Sequence, residues 1–143
     1  QWERIKEDEK SERRVLDGIP PALPALARAA KISSRVARVG FDWPEIDQVL
    51  DKMVEEAHEL NDAKNNLSQD EIEEEFGDLL FVMVNFGRHL KIDAEEALRS
   101  ANAKFIRRFN AVEAALDYNW NNRRIEELHD AWNTVKRAEK ASA

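Results

Sequence analysis

An all-α fold of about four to five helices is what this sequence predicts, and three observations carry the prediction. Apolar residues recur at the spacing of a single helix face along each long segment. No stretch of useful length alternates as a half-buried strand would. Residues that start or stop helices, among them Gly40, Ser68 and Asp93, stand at the ends of those segments.

In chain order, Gln1 to Arg14 is highly charged with few apolar residues and reads as a solvated helix or linker. Residues 1–17 are therefore expected to be a linker or the end of a preceding domain, and 18–143 to form one domain. Asp17 to Pro24, DGIPPALP, holds three of the four prolines and is a loop. Ala25 to Val39 follows as a helix with Leu26, Ala29, Ala30, Ser33, Val36 and Ala37 inward, closed by Gly40. The turn Gly40 to Pro44, GFDWP, leads into a helix from Glu45 to about Lys64. Phe41 and Trp43 read first as core anchors and second as walls of a ligand pocket.

Asn65 to Ser68 is a short polar connection, and Ser68 with Glu71 makes a capping box for a helix from Gln69 to Leu90. Asp93 with Glu96 opens the next helix, to about Asp117, with Ala97, Ala101, Phe105, Phe109 and Val112 inward. After the polar turn Tyr118 to Asn122, a last helix runs from Arg123 to about Lys140.

Charge concentrates on one part of this plan. Ten acidic residues fall between Glu55 and Asp78, opposed only by Lys64, in a chain of net charge −7. The two helices there are joined by so short a connection that they should form an antiparallel hairpin. A hairpin centred on Leu67 sets Glu56 level with Asp78 and Glu59 level with Glu75. Each pair is spaced i, i+3 on its own helix, so its members share a face. Met53, Ala57 and Leu60 on one helix, and Ile72, Phe76, Leu79 and Met83 on the other, define apolar stripes that the carboxylates flank.

Four converging carboxylates repel unless a cation neutralises them, and oxygen donors without cysteine suit a hard ion, Mg²⁺ or Mn²⁺. The alternative is a solvated acidic ridge; Asp70, Glu71, Glu73 and Glu74 are accounted for by the positive end of a helix dipole. Spacing alone leaves the two readings open for Glu56, Glu59, Glu75 and Asp78.

Outside this stretch the balance is slightly basic. Lys104 and Arg108 share a face at i, i+4, and so do Trp132 and Lys136. The acidic net charge argues against a nucleic-acid scaffold. There is no cysteine for a disulfide framework, and no apolar run approaches a membrane span or signal segment, so a cytoplasmic protein without a membrane partner is expected. Phosphate loops, nucleophile elbows and serine or cysteine triads are absent from the sequence.

Lys52, Glu55, Glu56 and Glu59, followed by Glu75 and Asp78, resemble the MazG family signature K-x-x-E-E-x-x-E with a later E-x-x-D. The MazG family belongs to the all-α nucleoside triphosphate pyrophosphohydrolases. Lys104 to Phe109, KFIRRF, and Trp132-x-x-x-Lys136 add to the likeness, which covers roughly Gly18 to Lys140. The opening WERIK and GIPPALPAL look like the junction between tandem MazG domains, so the resemblance implies a C-terminal domain.

By that resemblance, Glu56, Glu59, Glu75 and Asp78 bind Mg²⁺, with Mn²⁺ as a substitute. Lys52, Lys104, Arg108 and Lys136 meet the triphosphate, and Trp132 lies at the nucleotide. Glu55 or Glu56 takes the proton of the attacking water. The implied reaction releases a nucleoside monophosphate and pyrophosphate, carried out by a homodimer or higher homo-oligomer. Two other readings stand beside it: a non-catalytic acidic helical interaction module, and a base-restricted relative acting on dUTP or dCTP.

Overall fold

The computed structural model describes Trp2 and residues 14–142. Residues 14–142 form five α-helices and no strand: α1 Ala25–Ala37, α2 Ile46–Ala63, α3 Gln69–His89, α4 Ala94–Ala115 and α5 Ile125–Ser142. The bounds fall within two residues of those read from the sequence. None of these helices is long and apolar enough to cross a membrane. Two compact units make up the chain, Gln1–Glu95 and Glu96–Ala143. Most of the expected linker, residues 1–17, lies outside the described residues.

In the first unit α3 is the central rod, because both α1 and α2 pack against it. Its start is fixed locally. The Ser68 hydroxyl accepts from the Glu71 N–H at 3.2 Å while the Ser68 N–H donates to Glu71 Oε1 at 3.2 Å, which is the expected capping box. A second box opens α2: the Glu45 side chain meets the third-residue N–H, and Gln48 Oε1 accepts from the Glu45 N–H at 3.2 Å.

The end of α1 is closed as its glycine predicts. Gly40 adopts φ 89°, its N–H bonds to the Ala37 carbonyl at 3.0 Å, and the Phe41 N–H reaches back to the Val36 carbonyl at 3.1 Å. This double bond to the last turn sends the chain sharply into the 40–43 turn. Upstream, Arg35 donates to the carbonyls of Val15 and Asp17 at 3.2 and 2.9 Å, which pins the Val15–Gly18 turn to α1.

The buried apolar set is small. Among the described residues it comprises Ile19, Val49 and Val84 in the first unit and Val112 and Leu116 in the second. Several residues expected inward are not buried: Phe76 is 52% and Phe105 56% exposed, Met83 and Phe109 are exposed, and so are Ala57, Ala97 and Ala101. The helix periodicity is as read, but the described residues cover those parts of the stripes incompletely.

In the second unit, Arg123 bonds the carbonyls of Asn119 and Leu116, at 3.0 and 3.1 Å, and so satisfies the frayed end of α4. Trp120 stacks on Phe109 with ring centroids 5.1 Å apart, and its indole N–H donates to Glu113 at 2.9 Å.

Removing the α3 cap should be measurable. Ser68→Ala is expected to cost about 1 kcal/mol in urea unfolding; an unchanged denaturation midpoint would show that the box adds nothing to stability.

Candidate active site

The carboxylates lie on the two helices expected to carry them. Lys52, Glu55, Glu56 and Glu59 lie on α2, Glu75 and Asp78 lie on α3, and these two helices pack together. Glu55, Glu59, Glu75 and Asp78 are exposed, whereas Glu56 is partly buried. Lys52 is engaged with this cluster: its ammonium lies 3.3 Å from Glu56 Oε1. That hydrogen bond, with the added field of Glu56, Glu55 and Glu59, holds the Lys52 pKa above the usual lysine value.

The second oxygen of Glu56 is the informative one. Glu56 Oε2 is buried and has no hydrogen-bond partner, which is costly for a carboxylate. Among the described residues no three acidic or histidine side chains are drawn together tightly enough to hold an ion unaided. The donor chemistry nevertheless fits a hard divalent cation: only oxygen donors are offered, and one of them is a buried acceptor without a donor.

The expected cations and indole are in the second unit. Trp132, Lys136 and Glu139 follow one another at i, i+4, i+7 and so share a strip of α5. That strip meets α4 twice. The Trp132 ring lies against Phe105 with centroids 5.1 Å apart, and Arg108 Nε donates to Glu139 Oε2 at 2.8 Å. Arg107 Nε reaches the other Glu139 oxygen at 3.4 Å. Trp132 and Arg108 are thus brought to one face, while Lys104 and Lys136 are exposed. The bond from Arg108, opposed by some desolvation and helped by both arginine charges, keeps the Glu139 carboxyl below the usual range. Sequence reasoning missed Glu139, although its spacing from Trp132 and Lys136 was the available signal.

At the Gly40–Trp43 turn the second of the two sequence readings, walls of a pocket, is the one the structure shows. Phe41 and Trp43 are not core anchors: they are 79% and 43% exposed and wall a cavity of about 400 Å³ with α1 and α3. The turn is held to α3 by Asp42. Arg88 donates to Asp42 Oδ2 at 2.6 Å, His89 Nε2 lies 3.0 Å from Oδ1, and the Trp43 N–H donates to Oδ1 at 2.8 Å. Burial works to raise the Asp42 pKa, but these bonds and the Arg88 charge outweigh it and leave it below the ordinary value. No local pattern in the sequence links Asp42 to residues nearly fifty positions later.

With this geometry in view, the comparisons with known proteins are specific. Residues 45–113 match the MazG nucleotide pyrophosphohydrolase domain. The chain is 46% identical over 146 residues to a nucleoside triphosphate pyrophosphohydrolase of Escherichia coli K12, covering 96% of this chain and 56% of that protein. It is 40% identical over 141 residues to a nucleoside triphosphate pyrophosphohydrolase/pyrophosphatase MazG of Thermotoga maritima, covering 95% and 54%. It is also 38% identical over 147 residues to the uncharacterized protein YabN of Bacillus subtilis, of which it covers 30%. The chain therefore spans about half the length of the first two relatives.

The Asp42 clamp carries a pH signature. Because the folded pKa is depressed, its stabilisation is complete above the unfolded value near 3.8 and is lost as pH falls through the lower folded value. The gap in thermal midpoint between the wild type and Asp42→Asn should be widest near neutrality and close in strong acid. A gap that does not depend on pH would refute the clamp.

Proposed function

Since the chain belongs to the MazG nucleotide pyrophosphohydrolase family, we propose that it hydrolyses nucleoside triphosphates to nucleoside monophosphates and pyrophosphate. The observation that carries this reading is the 46% identity to a named pyrophosphohydrolase along 96% of the chain, a span that includes the whole acidic hairpin. Glu56, Glu59, Glu75 and Asp78 would hold Mg²⁺ or Mn²⁺, and the buried, unpartnered Glu56 Oε2 supports their use as ligands. When bound, the ion supplies neutralisation of phosphate charge and acidification of water.

The protein groups complete the chemistry. Glu55 or Glu56 accepts the water's proton. Lys52, Lys104, Arg108 and Lys136 offset charge on the triphosphate and on departing pyrophosphate, and Trp132 lies against the nucleotide. Arg108 must exchange its Glu139 partner for a phosphate oxygen to do this. The competing reading, a non-catalytic acidic helical module, draws on the exposure of Glu55, Glu59, Glu75 and Asp78. Incubation with mixed triphosphates and Mg²⁺ separates the two, because only the enzyme yields pyrophosphate above background.

The active form in this proposal is a cytoplasmic homodimer or higher homo-oligomer. Phe76, Leu80 and Met83 on α3 are exposed, and so are Phe105, Ile106 and Phe109 on α4, and each set is apolar surface that a second copy could cover. Light scattering at micromolar concentration should give at least twice the 16.5 kDa chain mass; a monomer there would overturn the assembly.

The register of the carboxylates is tested by neighbours. Glu75→Gln should abolish hydrolysis and weaken Mg²⁺ binding while leaving the metal-free thermal midpoint equal or higher, since a repelling charge is lost and the shape is kept. Glu74→Gln, one position away, should change either property little. An essential Glu74 beside a dispensable Glu75 would shift the register by one residue.

A further inference from the structure

In the proposed reaction Arg108 has to leave Glu139 for a phosphate, and the carboxylate it leaves behind, if bare, would repel the incoming polyanion. The second unit holds a partner for that carboxylate. Arg107 and Arg108 are consecutive on α4, about 100° apart around its axis, yet both reach Glu139 on α5. Arg108 Nε donates to Oε2 at 2.8 Å and Arg107 Nε to Oε1 at 3.4 Å.

These bonds are unequal in a way that fits an exchange. The Arg108 bond is short and its side chain is 20% exposed, against 63% for Arg107. Hydrogen bonds between charged groups are typically ~2.7–2.9 Å long, so Arg107 holds Glu139 loosely and has room to tighten. Arg108 bonds Glu139 through Nε and makes no other hydrogen bond among the described residues. Its NH₂ groups are therefore left to meet a phosphate before the carboxylate departs.

There is space for the carboxylate to move. On the Arg107 side an open groove of about 600 Å³ runs between α4 and α5, lined by Arg107 and Glu139 with the small side chains of Ala111, Ala138 and Ser142, and Arg108 is not part of it. Glu139 can turn toward Arg107 there without pushing a large side chain aside. Protonation offers no alternative. The Arg108 bond and both arginine charges, against some desolvation, keep the carboxyl below the usual range, so it stays charged at neutral pH.

We propose that Arg107 is the positioning residue of this exchange: it takes over the Glu139 carboxylate as a phosphate group binds Arg108, and does not itself touch the phosphate. The triad of Arg107, Arg108 and Glu139 thus delivers one cation to the substrate while the other neutralises the displaced anion. Glu139 keeps Arg108 in place beforehand, and Arg107 keeps Glu139 from competing afterwards. The assignment rests on the triphosphate reading for the identity of the phosphate, but the exchange does not depend on hydrolysis.

The test uses the full chain with Arg107→Gln, Glu139→Gln and the double variant. Arg107→Gln should act on KM for nucleoside triphosphates rather than on kcat, raising it by about two- to fivefold, the worth of one partly exposed ion pair. In the Glu139→Gln background the same substitution should leave KM where it is, because no displaced charge remains to be held. A merely structural role, or direct phosphate contact by Arg107, would raise KM in both backgrounds and overturn the exchange, as would no rise in either. Independently of turnover, inorganic tripolyphosphate with Mg²⁺ is titrated into isotope-labelled protein while the arginine Nε–H resonances are followed, assigned from the Arg107→Gln and Arg108→Lys spectra. Both resonances should shift saturably in the wild type, and that of Arg107 should hold still in Glu139→Gln. This result upholds the exchange even if no triphosphate is cleaved, in which case the hydrolytic reading alone fails. An Arg107 resonance that never moves, one that still moves in Glu139→Gln, or an Arg108 resonance that does not respond overturns it.

Discussion

The packing of α3 against both α1 and α2 is the constraint on which the first unit depends, because one rod has to serve several neighbours at once. Helical periodicity makes this possible by assigning different faces to different tasks. Val84 is buried in the core, while Glu75 and Asp78 emerge on an exposed face. Phe81 and Asn85 line the cavity, and Arg88 and His89 close the last turn against Asp42. A shift of α3 by a single residue would rotate all of these together, by about 100°. The capping box at Ser68 matters for that reason: it fixes where the helix begins, and with it the phase of everything that follows.

Several charged groups in this chain are held by other charged groups. Lys52 leans on Glu56, Arg107 and Arg108 share Glu139, and Arg88 and His89 share Asp42. Such pairs on a surface add little to stability. Their consequence is positional. A cation already paired with a carboxylate lies in a defined place, and an incoming phosphate, carrying more charge, can displace the carboxylate without a search through rotamers. Glu139 keeps Arg108 in order, which under the proposed function would last until a triphosphate takes it, and the Trp132 and Phe105 contact keeps the neighbouring ring in place.

The small buried core has a related meaning. Few side chains are fully enclosed, and large apolar ones remain exposed on α3 and α4. Burial of such surface is the dominant favourable term in folding and association. A chain with this distribution gains stability by covering those faces, which fits the proposed homo-oligomer better than an isolated monomer.

The sequence by itself determined the all-α class, the five helices within two residues of their ends, the Ser68 box, the Gly40 stop and the hairpin that carries the carboxylates. These are local matters: caps act over three residues, and amphipathic spacing is read within one helix. The K-x-x-E-E-x-x-E and E-x-x-D pattern was legible for the same reason, since each half lies on one helix. Tertiary structure alone decided what joins residues far apart in the chain. It placed Asp42 against Arg88 and His89, paired Arg108 with Glu139, and decided between core anchors and cavity walls for Phe41 and Trp43 in favour of the walls. Periodicity says which face of a helix is apolar, but not what, if anything, lies opposite; hence Phe76 and Phe105, inward by pattern, remain exposed in the described chain. Whether a side chain is buried, paired or left facing a cavity depends on the neighbour that the fold supplies, and no spacing within one helix encodes that neighbour.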